Sequence, residues 1–205
     1  MDQELLDDLR AAYGGKVTDR ACKTTSPWKE RVRARFLVRL REAGSTRLLE
    51  IGAGTGTHGA FFADEDLKVT CTDLSPEMVS HCQARGLQAQ VMNLASLDFA
   101  PGAFDALFSM NCLLHVPRTD LPGVLAGVAR VLVAGGLFFW GQYGGHGHEG
   151  AWLEDHYEPK RFFSLLTDDD IRQFVSKHFE LLSFEAITLD DRGGSHFQAL
   201  TSRRG

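Results

Sequence analysis

The stretch LLEIGAGTGTHGAFFA, residues 48–63, joins an apolar run and a carboxylate to three glycines at every second position. This order is typical of a strand that ends in a glycine-rich loop and leads into a helix. Because glycine has no side chain, its backbone can approach a bound molecule closely. Gly52, Gly54 and Gly56 are therefore the expected contacts of a ligand. Ala53 lies among them and is expected to contribute its backbone.

The loop departs from the dinucleotide fingerprint G-x-G-x-x-G, because Thr57 stands where the third glycine would fall and Gly59 follows two residues later. Glu50 precedes the loop, so its carboxylate is expected at the strand tip, where it would repel a phosphate and attract a cation. S-adenosylmethionine meets that requirement, since it carries an ammonium and a sulfonium and no phosphate. Glu50 is accordingly predicted to contact it.

A second carboxylate supports this interpretation. Asp73 ends the run KVTCTD, residues 68–73, roughly 20 residues beyond the glycine loop, which is where an acid binds a ribose diol in nucleotide-binding α/β folds. The two acids together predict a ligand that combines a nucleoside with positive charge.

Four motifs occur in one order along the chain: LLEIGAGTGTHGAFFA, VTCTDLSPEMV, FDALFSMNCLLHV and RVLVAGGLFF. In this order and at these intervals they resemble the class I S-adenosylmethionine-dependent methyltransferases, of the small single-domain kind. The resemblance covers residues 48–142. It implies S-adenosyl-L-methionine as the cofactor and a seven-stranded sheet whose last strand lies antiparallel beside the fifth.

The resemblance also implies an acid after the third strand that bonds the adenine amino group, and Asn93 stands at that position. Asn93 can accept this hydrogen bond through its side-chain oxygen, and Leu94 can offer its backbone N–H to the ring. Asp98 is the alternative if the register differs, and a plain turn is the alternative role for Asn93. Leu74 and Asn111, which follow the second and fourth strands, complete the predicted cofactor contacts.

The residues after the fourth strand normally face the reacting methyl group in the family that the chain resembles. Here they read Asn-Cys-Leu-Leu instead of the N-P-P-[YFW] motif of adenine and glutamine amino-methyltransferases, which argues against a base or amide acceptor. His115 is the first candidate for a general base, because its ordinary pKa lies near neutral pH. A structural hydrogen bond is its alternative role. His146 and His148 rank next as proton acceptors.

The segment beyond the fifth strand is rich in glycine, aromatic and titratable residues, and residues 143–166 are predicted to form a mobile lid over the acceptor. A metal site of His146, His148 and His156 is a further interpretation, but no recognised ligand spacing occurs and no metal is predicted. The predicted acceptor contacts come from this segment and from the N-terminal region: Tyr13, Trp28, Tyr143, Trp152, Tyr157 and Arg161.

The elements that must position these residues alternate between strand and helix, which predicts a parallel sheet with helices on both faces. Strands are predicted at residues 47–51, 68–72, 89–92, 104–110, 136–142, 179–187 and 196–202. Helices are predicted at residues 2–12, 28–43, 56–64, 75–86, 119–132 and 168–179. The first two helices are expected to roof the strand ends, and DDRGG, residues 190–194, to join the last two strands.

The predicted fold class is therefore α/β: a Rossmann-like, seven-stranded, mostly parallel sheet with its last strand antiparallel, covered at the C-terminal strand edge by N-terminal helices and a lid. A chain of 205 residues with 43% hydrophobic content suits one domain. Its expected parts are a helical cap at 1–45, a cofactor-binding core at 46–142, the lid at 143–166, and a C-terminal helix and hairpin at 167–205.

The amino-acid composition limits the classes of partner that this chain is expected to bind. The four cysteines form no CxxC pair, and no run is long enough for a membrane span, which predicts a reduced, cytoplasmic protein that does not enter membranes. The net charge of −5 disfavours nucleic acid. The predicted function is methyl transfer from S-adenosylmethionine to an oxygen or nitrogen of a small-molecule acceptor. A non-catalytic S-adenosylmethionine-binding module and an NAD-dependent oxidoreductase are the alternatives, and the oligomeric state is not predicted.

Overall fold

The structure is a computed structural model, and it describes residues 1–22, 24–189 and 196–205. The turn predicted at residues 190–194 lies outside the described residues. Nine strands are present in the described chain: β1 (Arg47–Ile51), β2 (Lys68–Asp73), β3 (Gln88–Val91), β4 (Phe104–Met110), β5 (Leu132–Gly144), β6 (His148–Ala151), β7 (Phe162–Leu165), β8 (Phe179–Thr188) and β9 (His196–Arg204).

Seven of these strands form one sheet in the order β3-β2-β1-β4-β5-β9-β8. The first five pair in parallel, and β9 lies antiparallel between β5 and β8. The predicted fold class, with the last strand of the chain antiparallel beside the fifth, is confirmed. The remaining strands, β6 and β7, form a separate antiparallel pair that the sequence analysis did not predict.

The described helices are α1 (Gln3–Gly14), α2 (Val17–Ala21), α3 (Pro27–Glu42), α4 (Thr57–Asp64), α5 (Pro76–Ala84), α6 (Leu121–Val131) and α7 (Asp168–Ser176), with a 3₁₀ turn at Leu113–His115. Local sequence explains where several begin. Ser75 caps α5 by accepting the Met78 N–H at 3.3 Å, and Pro76 takes the first helical position. Thr167 caps α7 in the same way. The short helix α2 was not predicted.

The core lies on both faces of the large sheet. On one face, α3 and α4 bury Phe36 and Phe62 against Phe108 and Phe139 of the central strands. On the other face, the apolar sides of α6 and α7 pack against alternate residues of the same strands, including Trp140. Because side chains of a strand alternate between faces, strands buried on both sides read as continuous apolar runs.

The N-terminal helices α1 and α3 pack against different parts of the sheet. Four side chains of α1 line a cavity at the strand ends: Leu6, Leu9, Arg10 and Tyr13. Most of α3 does not roof the strand ends as expected, because its apolar stripe packs on the sheet face instead. No helix in the described chain combines the length and hydropathy needed to cross a membrane.

Candidate active site

The candidate site lies where the strand order of the sheet reverses: β2 and β3 lie on one side of β1, and β4 and β5 lie on its other side. β1 lies between β2 and β4, so the loops that follow β1 and β4 leave the sheet side by side. Gly52 follows β1 with a φ of 65°, and a Cβ there would lie 2.3 Å from the Sγ of Cys112. This close approach explains the glycine, because any side chain at this position would collide with the loop that follows β4.

Asp73 joins the glycine loop to the end of β2. One of its carboxylate oxygens accepts the Gly54 N–H at 2.8 Å, and the other accepts the Ser75 N–H at 3.0 Å. Burial raises the pKa of Asp73, while these backbone donors act in the opposite direction. The carboxylate also faces a cavity at the strand ends.

Two adjoining cavities open at this edge. The first, about 90 Å³, lies over the ends of β2 and β3 under α1, and the second, about 450 Å³, lies between α2, the glycine loop and the β6–β7 segment. They share the following residues of their walls: Tyr13, Arg20, Gly52, Gly54, Met110, Asn111 and His115.

Most of the predicted cofactor residues lie on these walls. The first cavity is lined by Gly52, Gly54, Asp73, Leu74, Asn93, Leu94 and Asn111, and the second also by Ala53. Two of the predicted contacts, Glu50 and Gly56, do not line either cavity. Gly56 instead precedes α4, where a Cβ would lie 2.9 Å from Leu87 beneath the loop.

Glu50 corrects the electrostatic premise of the sequence analysis. Its side chain is 2% exposed and lies under the glycine loop, where it accepts hydrogen bonds from the Gly59 backbone and from the Cys71 thiol at 3.7 Å. Burial raises the pKa of Glu50 to about 8, with Cys82 contributing further. The group is therefore mainly protonated at neutral pH and holds the loop from below.

Asn93 and Asn111 differ in their hydrogen bonding. Asn93 Oδ1 accepts the Ala95 N–H at 2.9 Å, which is the turn arrangement that the sequence analysis considered as its alternative role. Asp98 lines neither cavity. Asn111, at a φ of 56°, has a buried Oδ1 without a hydrogen-bond partner among the described residues. A buried acceptor of this kind is suited to a donor group on a ligand.

His115 lies at the centre of a polar network that links three segments. Its Nδ1 donates to the Phe162 carbonyl oxygen at 2.7 Å, because a carbonyl can only accept. The neutral ring therefore accepts the Tyr13 hydroxyl proton at Nε2, at 2.6 Å. Arg161 donates to the same hydroxyl oxygen at 3.0 Å and forms a two-point ion pair with Asp155. Both ring nitrogens of His115 are thus in use.

The other predicted catalytic histidines lie away from the cavities. His146 and His148 line neither one, and the ring of His148 packs edge to face against Trp152. Trp152 also lines neither cavity, because it is packed between His148 and Phe163. Neither His146, His148 nor Trp152 is therefore placed to touch an acceptor in the second cavity.

The remaining predicted acceptor contacts divide in the same way. Trp28 packs on Phe197, with ring centroids 4.5 Å apart, and lines neither cavity. Four others do line the second cavity: Tyr13, Tyr143, Tyr157 and Arg161.

In the part of the chain that the structure describes, no three His, Cys, Asp or Glu side chains group as metal ligands would.

Sequence reasoning missed three charged or titratable side chains on the wall of the second cavity. Arg20 comes from α2, Lys29 from α3 and His58 from the first turn of α4. The first two have no motif that would mark them, because they come from an N-terminal segment outside the four motifs. His58 lies inside the first motif and could have been considered, since it directly follows the glycine loop.

Two histidines with lowered pKa values, the half-buried His58 and the buried His115, predict how stability depends on pH. Burial, helped by nearby cations, lowers the pKa of His58 and of His115 to about 3 from an ordinary 6.5. Below pH 6.5 the unfolded chain binds protons at these histidines that the folded chain excludes, so each histidine should lower the free energy of unfolding as the pH falls. Glu50, whose raised pKa of about 8 keeps it protonated in the fold, offsets the contribution of one histidine over the same range. The expected fall is about 1.4 kcal/mol per pH unit for each histidine.

Urea unfolding at several pH values between 7 and 5 measures this slope. His58→Gln and His115→Gln should each reduce it, whereas His156→Gln is the matched control, because that side chain is 74% exposed. An unchanged slope in both His58→Gln and His115→Gln would contradict the assignment of neutral rings.

Comparisons with known proteins agree with this geometry. Residues 48–136 match the family model described as a methyltransferase domain. The ubiquinone biosynthesis O-methyltransferase of Xanthomonas oryzae pv. oryzae is 36% identical over 108 residues, covering 49% of this chain and 44% of that protein. The corresponding protein of Xanthomonas euvesicatoria is 31% identical over 115 residues, covering 53% and 47%. The matches span less than half the length of these curated relatives.

Solved structures match over more of the chain. The 1,6-didemethyltoxoflavin-N1-methyltransferase of Burkholderia thailandensis, solved with 1,6-didemethyltoxoflavin and S-adenosylhomocysteine, has a TM-score of 0.75 at 20% identity and covers 100% of this chain and 90% of its own. A SAM-dependent methyltransferase of Methanosarcina mazei has a TM-score of 0.68 at 20% identity, covering 77% and 92%. Residues 48–136 of this chain thus resemble a methyltransferase domain, and the described residues have the class I S-adenosylmethionine-dependent methyltransferase fold.

Proposed function

We propose that this protein transfers a methyl group from S-adenosylmethionine to an oxygen or nitrogen of a small molecule. The observation that carries the proposal is the shared wall of the two cavities. Gly52, Met110 and Asn111 line both, so a donor in the first cavity and an acceptor in the second would meet at the ends of β1 and β4. Transfer of a group requires such a junction.

The residues of the first cavity suit this cofactor. Asp73 presents a carboxylate to a ribose diol, and the glycine loop leaves room for backbone contact. The unpartnered Oδ1 of Asn111 is an acceptor for an ammonium group at the junction. When bound, S-adenosylmethionine would supply a methyl group already activated by positive sulfur.

The chain's own contribution would be alignment and exclusion of water. The second cavity is walled by aromatic rings of Tyr143 and Tyr157, and the Asp155–Arg161 ion pair holds this wall in place. His115 is suited to positioning Tyr13 more than to accepting a proton directly, because its Nε2 already accepts the Tyr13 hydroxyl. Residues 143–166 would thus form the cover of the acceptor site.

The relatives support this assignment at a coarser level. Those that match the central segment are O-methyltransferases by name, and the Burkholderia enzyme methylates nitrogen by name. An oxidoreductase is disfavoured by the incomplete dinucleotide fingerprint, and a binding-only module is disfavoured by the second, aromatic-walled cavity.

A ligand-induced shift in melting temperature tests the proposed cofactor. We expect S-adenosylhomocysteine to stabilise the fold by about 2.7 kcal/mol when present at a hundred times its dissociation constant. NADH at the same concentration should leave the melting temperature unchanged. A shift with NADH alone would reject the proposal in favour of the oxidoreductase.

A further inference from the structure

The second cavity has a charge opposite to that of the chain as a whole. Its wall includes the cationic side chains of Arg20, Lys29 and Arg161. No aspartate or glutamate among the described residues lines it, although the full sequence has 27 acidic and 22 basic residues. The described wall of this cavity therefore carries a local excess of positive charge in a chain of net charge −5.

The titratable residues of the wall respond to this charge. Burial is the main reason why the pKa of His58 is lowered to about 3, and Arg33 and then Lys29 contribute to the shift. The pKa of His115 is lowered to about 3 for the same main reason, and Arg161 and Arg20 contribute. The charges of these cations therefore lower the pKa values of titratable groups on the cavity wall.

The three cations have different neighbours. Arg161 is already in a two-point ion pair with Asp155. Arg20 lines both cavities: its Nη1 donates to the Tyr157 hydroxyl at 3.4 Å and its Nη2 would lie 3.8 Å from a Cβ on Gly54, so it stands at the junction of the two cavities. Lys29 lines the second cavity and not the first.

Aromatic rings surround the same space. Tyr13, Tyr143, Tyr157 and Phe163 all line the second cavity, and the Lys29 ammonium lies 5.6 Å from the ring centroid of Tyr143. Such rings favour a flat, apolar ligand body. A cation beside them favours a negative group at its edge.

Resting on the proposed function, we propose that the acceptor is a small aromatic anion, a carboxylate or an ionised phenol, whose charged oxygen is bound by Lys29. An acceptor that reacts through an ionised oxygen forms the new O–C bond as the S–C bond breaks, and the electron pair of that bond stays on sulfur. No proton then has to be removed. This agrees with a His115 whose two nitrogens are already hydrogen-bonded.

Calorimetric titration of the S-adenosylhomocysteine-loaded protein tests the proposal with four compounds of similar ring size: benzoate, 4-nitrophenolate, benzamide and benzylammonium. We expect at least one of the two anions to bind at least tenfold more tightly than benzamide, because a charge-assisted hydrogen bond replaces a neutral one. Benzylammonium should bind more weakly than all the others. The comparison of benzoate with 4-nitrophenolate identifies which anionic oxygen is preferred.

Lys29→Met should reduce the preference for the anion to less than threefold while the affinity for S-adenosylhomocysteine stays within about threefold of wild type. Lys177→Met is the matched control, because Lys177, which follows α7, lines neither cavity, and it should keep the preference. Equal binding of anion and amide, no binding of either anion, or an anion preference that survives Lys29→Met would each overturn the proposal. Failure of S-adenosylhomocysteine itself to bind would instead reject the proposed function.

Discussion

Replacing Asp73 with asparagine should weaken the binding of S-adenosylhomocysteine at least 100-fold. The carboxylate holds the glycine loop through Gly54 and the next loop through Ser75, and it faces the first cavity. Two charge-assisted hydrogen bonds to a ribose diol contribute about 1.5 kcal/mol or more each, and about 1.4 kcal/mol corresponds to a tenfold change in affinity. Isothermal titration calorimetry measures the loss.

Glu50→Gln is the matched control for this experiment. Both substitutions exchange an acid for its amide, but Glu50 lies beneath the loop and is mainly protonated at neutral pH. We expect its effect on affinity to stay within about threefold, because no charge facing the ligand is lost. Asn93→Ala should cost about tenfold or less, since it removes neutral hydrogen bonds only. A larger loss for Glu50→Gln or Asn93→Ala than for Asp73→Asn would show that the nucleoside is misplaced.

Gly52→Ala should lower the free energy of unfolding by about 2–6 kcal/mol, the sum of a strained left-handed backbone and a steric collision. The φ of 65° is unfavourable for alanine, and the new Cβ would lie 2.3 Å from Cys112 Sγ and 2.5 Å from its Cβ. Urea unfolding measures the effect. Binding of S-adenosylhomocysteine should fall as well, because the loop that lines both cavities must shift.

Gly44→Ala separates the two causes. Gly44 has nearly the same φ, 64°, but a Cβ there meets nothing within 4 Å among the described residues. It should therefore lose only the strain, about 1–3 kcal/mol. Adding Cys112→Gly to Gly52→Ala removes both colliding atoms and should recover part of the larger loss in a double-mutant cycle. Equal losses for Gly52→Ala and Gly44→Ala would contradict the close approach of the two loops.

The central sheet could be predicted from the sequence because its signals are local. Buried parallel strands read as apolar runs, and serine or threonine caps and prolines mark where helices start. The separate β6–β7 pair was missed because its residues lack the apolar alternation of a half-buried strand. β5 also begins at Leu132, earlier than predicted, because the strand continues through the glycines at 135 and 136, which fall at the irregularity between its pairs Phe104–Leu132 and Ala106–Leu137.

The candidate site was only partly predictable, because its properties depend on contacts between distant segments. Asp73 could be placed from its position after a strand. The protonation of Glu50 could not, since it depends on burial beneath Gly59 and against a thiol from β2. Lys29 and Arg20 reach the second cavity through tertiary packing alone. Trp152, which looked like an acceptor contact, turns to its own strand pair for the same reason.

The network through Tyr13 has a consequence for the order of events in a catalytic cycle. Tyr13 belongs to α1, which covers the first cavity. The volume of that cavity, about 90 Å³, is smaller than the roughly 300–1,000 Å³ typical of ligand pockets. If α1 moves when a nucleoside enters, the Tyr13 bonds to His115 and Arg161 would break with it. Exchange of the cofactor would then disrupt the Tyr13 and Arg161 contacts in the wall of the proposed acceptor site. We therefore expect sequential binding in the proposed reaction, with the cofactor first to arrive and its demethylated product last to leave.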